Sequence, residues 1–327
     1  MRPIELYNFL ILLKNMPILV TGGTGFIGSY ILRALIDKGE RVIAYDLRPD
    51  FDLVSDIVGR IKVLYGDVLD MPNLLRAMKE HKTDRVVHLA CMMMDAAEAN
   101  PYRGMEVNIM GTNNVFEAAR ILDLKRVVWA SSAAVYGPAR EYGGTLVPVN
   151  EDSPVKIGTA SVYGACKVLN EFASTFYSER YDLDFIGLRP TVVYGPGRTR
   201  GGTAFASKLI EFPARGKAVK IPYSSDQEHD WMYVKDTANA FVTACFAEKP
   251  KHKIFNVGGE TRTIGDAVKY IKELVPDADI TLGTANLGWV SRYDATRISQ
   301  ELGFKPQYSL KEGIKDFVND VQQKKSD

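Results

Sequence analysis

The chain has 327 residues, 41 basic and 40 acidic side chains, a formal net charge of +1, 46% hydrophobic residues and three cysteines. That length provides one large domain or two modest ones with a sizeable core, and the charge balance argues against a nucleic-acid partner, which needs clustered cations. Cys91, Cys166 and Cys245 are odd in number, widely spaced and free of any CxxC pair. Neither a disulfide framework nor a thiolate zinc site is therefore indicated, and a reducing, cytoplasmic setting is expected.

The first apolar stretch, residues 4–13, is too short to span a bilayer and carries Glu5 and Asn8, with no small-residue cleavage site behind it. Met16 stands directly before PILVTGGTGFIG, so residues 1–15 read as an N-terminal extension. From there, short β-branched runs at 18–22, 41–46, 61–67, 85–90, 126–132 and 184–190 alternate with stretches at 26–38, 71–81, 104–122 and 161–181. The latter carry apolar residues at three- and four-residue spacing. Strands alternating with helices predict an α/β fold, a Rossmann-type doubly wound parallel sheet with helices on both faces. After Pro190 the rhythm breaks. Residues 195–202 are rich in Gly, Pro and Arg, residues 220–231 read as polar and turn-like, and helices are expected at 264–274 and 310–322. The domain assignment is thus 16–189 for the nucleotide-binding unit, with 233–258 returning to it, and 190–232 plus 259–327 for a smaller C-terminal lobe. The KKSD end reads as a frayed tail.

TGGTGFIG, directly after the first strand and opening the first helix, places glycines at 22, 25 and 28. Such a loop makes a tight turn, lets backbone N–H groups approach a pyrophosphate, and lets the helix pack close to the strand. Asp46 closes the second strand, where a carboxylate can accept both hydroxyls of an adenosine ribose and repel a 2′-phosphate. NAD is favoured over NADP on this ground, although Arg48 stands two residues on.

Tyr163 and Lys167 lie four apart in YGACK, on one face of a predicted helix. A tyrosine near pKa 10 is a poor base, but an ammonium roughly 5 Å away at an effective dielectric of ~20 stabilises the phenolate by about 3 kcal/mol. Tyr163 would then take a proton from a substrate hydroxyl as hydride leaves the carbon. Ser132, in SSAAVYG at the end of the fifth strand, lies upstream of the pair. No metal is expected, since no His/Asp/Glu cluster has ligand spacing. His88, inside a buried strand, reads as a satisfied core residue.

Glycine loop, acidic ribose ligand, serine and Tyr/Lys pair, together with NIMGTNNVFEAA, LRPTVVYGPG, FNVGG and RYDATRISQELGF, resemble the extended short-chain dehydrogenases, the NAD-dependent epimerase/dehydratase family. The resemblance covers nearly the whole chain from Met16. It implies that Tyr163 is the acid/base, that Lys167 lowers its pKa and binds the nicotinamide ribose, and that Ser132 hydrogen-bonds the reacting oxygen. Asn108 would support the lysine and its water, or else fix a helix bend. Cofactor contacts are expected from Gly22, Thr24, Gly25, Phe26, Ile27, Gly28, Asp46, Arg48, Val68, Leu89, Ala90, Tyr163, Lys167, Pro190 and Val192. Asp67 is expected at the adenine, with a helix cap as its alternative. A homodimer is expected through helices 104–122 and 161–181.

The family's 4,6-dehydratases carry an Asp-Glu pair after the active-site hydroxyl residue; here Ala133 and Ala134 stand there, which disfavours dehydration. Where nucleotide-sugar enzymes of the family grip a diphosphate, this chain has Thr191 and His229, and Arg292 in place of an RxGD arginine. A mostly neutral imidazole loses charge-assisted pairing. The expectation is a hydride transfer from a secondary alcohol of a sugar-like, sugar-acid or hydroxy-acid substrate, with a UDP-sugar 4-epimerase as the alternative. Arg198 and Arg200 are expected to meet a substrate carboxylate or phosphate, unless they form a solvated loop. Met92, Met93 and Met94, with Ser132 and Ala133, are expected on the substrate side of the pocket.

Overall fold

The computed structural model describes residues 16–144, 147–155 and 161–324. The proposed extension 1–15 and the last three residues of the tail lie outside them. Among the described residues the strands are β1 (Ile18–Thr21), β2 (Val42–Asp46), β3 (Lys62–Tyr65), β4 (Arg85–His88), β5 (Arg126–Ala130), β6 (Phe185–Pro190), β7 (Val192–Tyr194), β8 (Val219–Tyr223), β9 (Glu228–Tyr233), β10 (Ile254–Val257), β11 (Glu260–Thr263) and β12 (Ile280–Ala285). The helices are α1 (Phe26–Asp37), α2 (Met71–Glu80), α3 (Met94–Ala99), α4 (Pro101–Met105), α5 (Thr112–Ile121), α6 (Val162–Tyr181), α7 (Phe205–Ala214), α8 (Val234–Phe246), α9 (Ile264–Leu274), α10 (Thr296–Leu302) and α11 (Leu310–Gln323).

Seven strands form one sheet in the order β10-β6-β5-β4-β1-β2-β3, with every neighbouring pair parallel. Strand order reverses beside β1, which opens a crevice at the carboxyl ends of β1 and β4 where doubly wound sheets take their ligands. The apolar runs are continuous because both faces are covered. Along β1, Leu19 joins Ile43, Val86 and Trp129 on one side, while Ile18 and Val20 join Val42, Val87 and Val128 on the other. Helices α1 and α8 pack together over the second face, and α2, α5 and α6 over the first. Ile31, Leu32 and Leu35 of α1 are fully buried there, each stabilising the fold by about 1.5–3 kcal/mol.

Two features depart from the sequence reading. The predicted helix at 104–122 is broken: α4 passes through a π-helical stretch, Glu106–Gly111, before α5 begins. Residues 220–231, read as turn-like, supply most of β8 and β9, which pair with β12 and with β7 and β11 in two small sheets. The alternating pattern of β8, VKIPY, and the short polar β11, ETRT, hid these sheets. No helix among the described residues is long and apolar enough to cross a membrane.

Candidate active site

The glycine loop folds tightly against its surroundings. Gly22 has φ +65°, and a Cβ there would come within 3.0 Å of the Ala90 backbone nitrogen. A Cβ on Gly28 would lie 2.3 Å from the Gly22 carbonyl oxygen, so only hydrogen lets α1 approach β1 this closely. Gly25 caps α1 without any side-chain hydrogen bond, and the first turn holds no acidic residue. The N–H groups and positive dipole end of a twelve-residue helix are therefore left to an anion. Asp46 is aimed by Thr24, whose N–H and hydroxyl donate to its Oδ2 at 3.3 and 2.8 Å. Asp67 both turns the chain, accepting from Leu69 N–H at 3.0 Å, and meets Arg103 at 3.5 Å.

Loop, Asp46 and Asp67 line one end of a cleft of about 1480 Å³. Every expected cofactor residue faces it except Lys167, so the dinucleotide's shape and charge fit the residues present. Cys91, Arg103, Arg140, Trp289 and Tyr293 also line it; Tyr293 falls within the quoted RYDATRISQELGF segment, but nothing in the sequence aimed any of the five at the cleft.

At the other end stand Ser132, Ala133, Ala134 and Tyr163. Tyr163 is held near the start of α6, which Ser161 caps by accepting from Gly164 N–H at 3.0 Å. Its hydroxyl meets the Ser132 hydroxyl and the Cys91 thiol. Burial, followed by the charge of Cys91, pushes the phenol above its usual range, with Ser132 and Arg198 acting against it. This differs from the lowering expected of Lys167. The lysine ammonium lies over the Tyr163 ring, 5.3 Å from its centre, and donates to the Ala130 carbonyl at 2.7 Å. Burial holds its own pKa down. With the ammonium over the ring and bonded elsewhere, desolvation decides the direction.

A buried ion pair lies beneath this group. Arg189 grips Glu171 with Nε and Nη2 at 2.7 and 2.6 Å, and Ser131 donates to the same carboxylate at 2.5 Å. Glu171 is one helical turn beyond Lys167, so the pair ties α6 to β6 through Arg189, and the Ser131 hydrogen bond ties it to the end of β5 beside Ser132. Arg189 and Ser131 fall within the quoted LRPTVVYGPG and SSAAVYG segments, but their meeting with Glu171 could not be read from spacing.

Four further expected residues lie off the cleft wall. Asn108 spends its amide on the backbone of Met92, accepting from Met92 N–H at 2.7 Å and donating to Met92 O at 2.9 Å. It clamps the chain after β4 from within the π-helical stretch, and Met92 itself does not line the cleft. His229 is wholly buried, its ring centroid 3.9 Å from that of Trp231, with Phe205 on another side. Burial drives its pKa down to about 3, so it is a neutral core ring rather than a substrate grip. Arg292 forms a bidentate pair with Glu228 at 2.9–3.1 Å and does not line the cleft. The two are 64 residues apart in the chain and meet only through the tertiary fold, which local sequence does not show. His88 is the satisfied core residue expected, bonded to Thr21 at 2.7 Å and Thr112 at 3.0 Å.

Thr191 lines the cleft but donates to Asp230 at 2.5 Å. Asp230 is buried and accepts from that hydroxyl and from Gly259 N–H (2.7 Å) on one oxygen, and its burial pushes the carboxyl up to about 6.

A parallel-sheet dinucleotide fold with a tyrosine, serine and lysine at the sheet's carboxyl edge defines a short-chain dehydrogenase type of enzyme. A sequence model described as the NAD dependent epimerase/dehydratase family matches residues 18–258, and the chain belongs to that family. It is similar to a UDP-glucose 4-epimerase of Mycolicibacterium smegmatis, 32% identical over 91% of this chain and 96% of that protein. It is also similar to dTDP-glucose 4,6-dehydratase 1 of Escherichia coli, 31% identical over 93% and 92%. Among solved structures, a UDP-glucose 4-epimerase of Thermus thermophilus in complex with NAD superposes with a TM-score of 0.82, at 27% identity over 94% of this chain and 99% of that one.

Proposed function

We propose that the protein is an NAD-dependent oxidoreductase that oxidises a secondary alcohol of a sugar-like, sugar-acid or hydroxy-acid substrate. The observation that carries this is the meeting of the Tyr163 hydroxyl with Ser132 at the far end of the same cleft that begins at Gly22 and Asp46. NAD, when bound, accepts the hydride. The loop at Gly22, Gly25 and Gly28 would hold its pyrophosphate, Asp46 its adenosine ribose, and Asp67 and Val68 its adenine. Tyr163 takes the hydroxyl proton while Ser132 hydrogen-bonds the reacting oxygen and fixes its position. Lys167, on the Ala130 carbonyl, supplies positive charge beneath the Tyr163 ring and favours the phenolate as it forms. In the reverse direction the same phenol returns the proton.

Ala133 and Ala134 line the cleft beside Ser132 and offer no second acid/base pair, so the proposed chemistry stops at the ketone rather than eliminating water. The second reading is a UDP-sugar 4-epimerase that retains NAD, favoured by the similarity to UDP-glucose 4-epimerases. Against it stand Thr191, His229 and Arg292, each turned to a protein partner or buried in the core. Three free cysteines accord with a cytoplasmic setting. Exposed apolar side chains on α6, with Phe172 69% and Phe176 50% exposed, and Met105 and Met110 on the neighbouring helical stretch support a homodimer through these helices.

Purified protein incubated with NAD and a panel of polyols, sugars and sugar acids should form NADH with at least one of them. No NADH from any member, together with redox-neutral interconversion of UDP-glucose and UDP-galactose, would establish the epimerase instead.

A further inference from the structure

Arg198, in the loop after β7, is 8% exposed and lines the substrate end of the cleft. Its guanidinium donates through Nη1 to the Val193 carbonyl and through Nη2 to the Thr203 hydroxyl at 2.6 Å, and it lies 5.8 Å from the centre of the Phe26 ring. All of these partners are neutral. Among the described residues no carboxylate comes within ion-pair distance of it, in contrast to the buried Arg126 and Arg189, which hold Asp184 and Glu171. Burial without an acid pulls its pKa down to about 10, which leaves it cationic at neutral pH. A buried cation without a counter-ion is costly to keep, and two of its five N–H groups account for the bonds named here.

The carboxylates along the cleft are confined to one end, where Arg48 and Arg103 stand among them. The carboxylates that line it, Asp46, Asp50, Asp52 and Asp67, lie at the end of β2 and on the segments after β2 and β3, at the adenosine end. The end that holds Tyr163 contains Arg140, Arg198 and Arg200 and no lining carboxylate. Arg198 is also close enough to Tyr163 for its charge to favour the phenolate.

Resting on the oxidoreductase reading above, the geometry points to Arg198 as the seat of a carboxylate on the substrate itself, so that the substrate is a hydroxy acid or sugar acid whose reacting hydroxyl reaches Tyr163. A single fork-shaped guanidinium matches one carboxylate, bonded through two parallel N–H groups. Neutral sugars and polyols would leave the buried cation unpaired, which makes the site selective as well as attractive. The other anion in reach is the pyrophosphate of NAD, since Phe26 opens the helix above which Arg198 lies.

The test measures binding first and turnover second. Thermal stabilisation in the presence of NADH is compared for D-gluconate, sorbitol and sorbitol 6-phosphate, with wild-type protein, Arg198→Met and Arg198→Lys. Affinity for NADH is titrated separately by its fluorescence. The expected result is gluconate affinity at least tenfold above sorbitol, loss of that margin in Arg198→Met, partial recovery in Arg198→Lys, and NADH affinity changed less than threefold in both. Equal binding of gluconate and sorbitol by the wild type overturns the proposal. So does a margin that survives Arg198→Met, stronger Arg198-dependent binding of the phosphate ester, or a tenfold loss of NADH affinity in Arg198→Met, which would give the arginine to the pyrophosphate. Arg198-dependent gluconate binding without NADH formation from any acid would defeat the oxidoreductase reading and keep the carboxylate seat.

Discussion

The Lys167 ammonium sits 5.3 Å from the centre of the Tyr163 ring while its hydrogen bond goes to the Ala130 carbonyl. The lysine therefore acts on the phenol through space, across the ring face, and burial is left to hold the phenol protonated. Alcohol oxidation needs Tyr163 as a base, so kcat/KM for oxidation should climb with pH through the neutral and alkaline range. Ketone reduction needs it as an acid, already present, and should stay flat there. Tyr163→Phe should lower both rates by about 10²–10⁴-fold and remove the slope, with NADH affinity retained. Rate profiles in both directions check this; a variant with full turnover would overturn the assignment.

Thr24 fixes the Asp46 carboxylate at the adenosine end with two donors. Replacing Asp46→Ser removes the charge that repels a 2′-phosphate and leaves Arg48 beside it. The ratio of kcat/KM for NADP over NAD should rise by about 10–100-fold, on the scale of one charge-assisted interaction. Steady-state kinetics with the two cofactors would show it, and an unchanged ratio would place the discrimination elsewhere.

Asp230 carries its proton more tightly folded than unfolded, with a folded pKa of about 6 against 3.8. Between those values the native state binds more protons, so this group's contribution to stability is full at low pH and falls as pH rises from about 4 to 6. The loss amounts to at most about 3 kcal/mol. Asp230→Asn keeps a carbonyl oxygen for Thr191 and Gly259, both of which bond the same Oδ1. The variant should be as stable as wild type or more so at about pH 7, and urea unfolding across the range from about pH 4 to 7 should show a flatter pH dependence.

Leu169, Phe172 and Phe176 recur at three- and four-residue spacing on α6 and are exposed. If they are covered by a second copy, the double substitution Phe172→Asp and Phe176→Asp should convert the particle to a monomer in sedimentation equilibrium. A dimer that persists unchanged would move the interface off these helices.

The large sheet could be read from the sequence because β1, β4, β5 and β6 are buried on both faces, so consecutive apolar residues fill their centres between charged or polar ends. The glycine loop was legible because its spacing is dictated by backbone contact. The smaller sheets were not, since β7 has three residues and β11 is polar. Met94 lines the cleft as expected, yet it also opens α3, a helix too short for periodicity to register. His229 and Arg292 were placed by position within a family pattern, whereas their partners, Trp231, Phe205 and Glu228, come from packing and non-local pairing.

The π-helical stretch Glu106–Gly111 holds one residue more per turn than the helices on either side. Removing a single residue there would restore a regular helix and swing Asn108 about a quarter turn away from its neighbours downstream. Met92 would then lose both hydrogen bonds at once. The strand end that carries Cys91 toward Tyr163 is thus registered by a one-residue surplus in a helix, which makes this stretch intolerant of deletions even though its outer face is open to change.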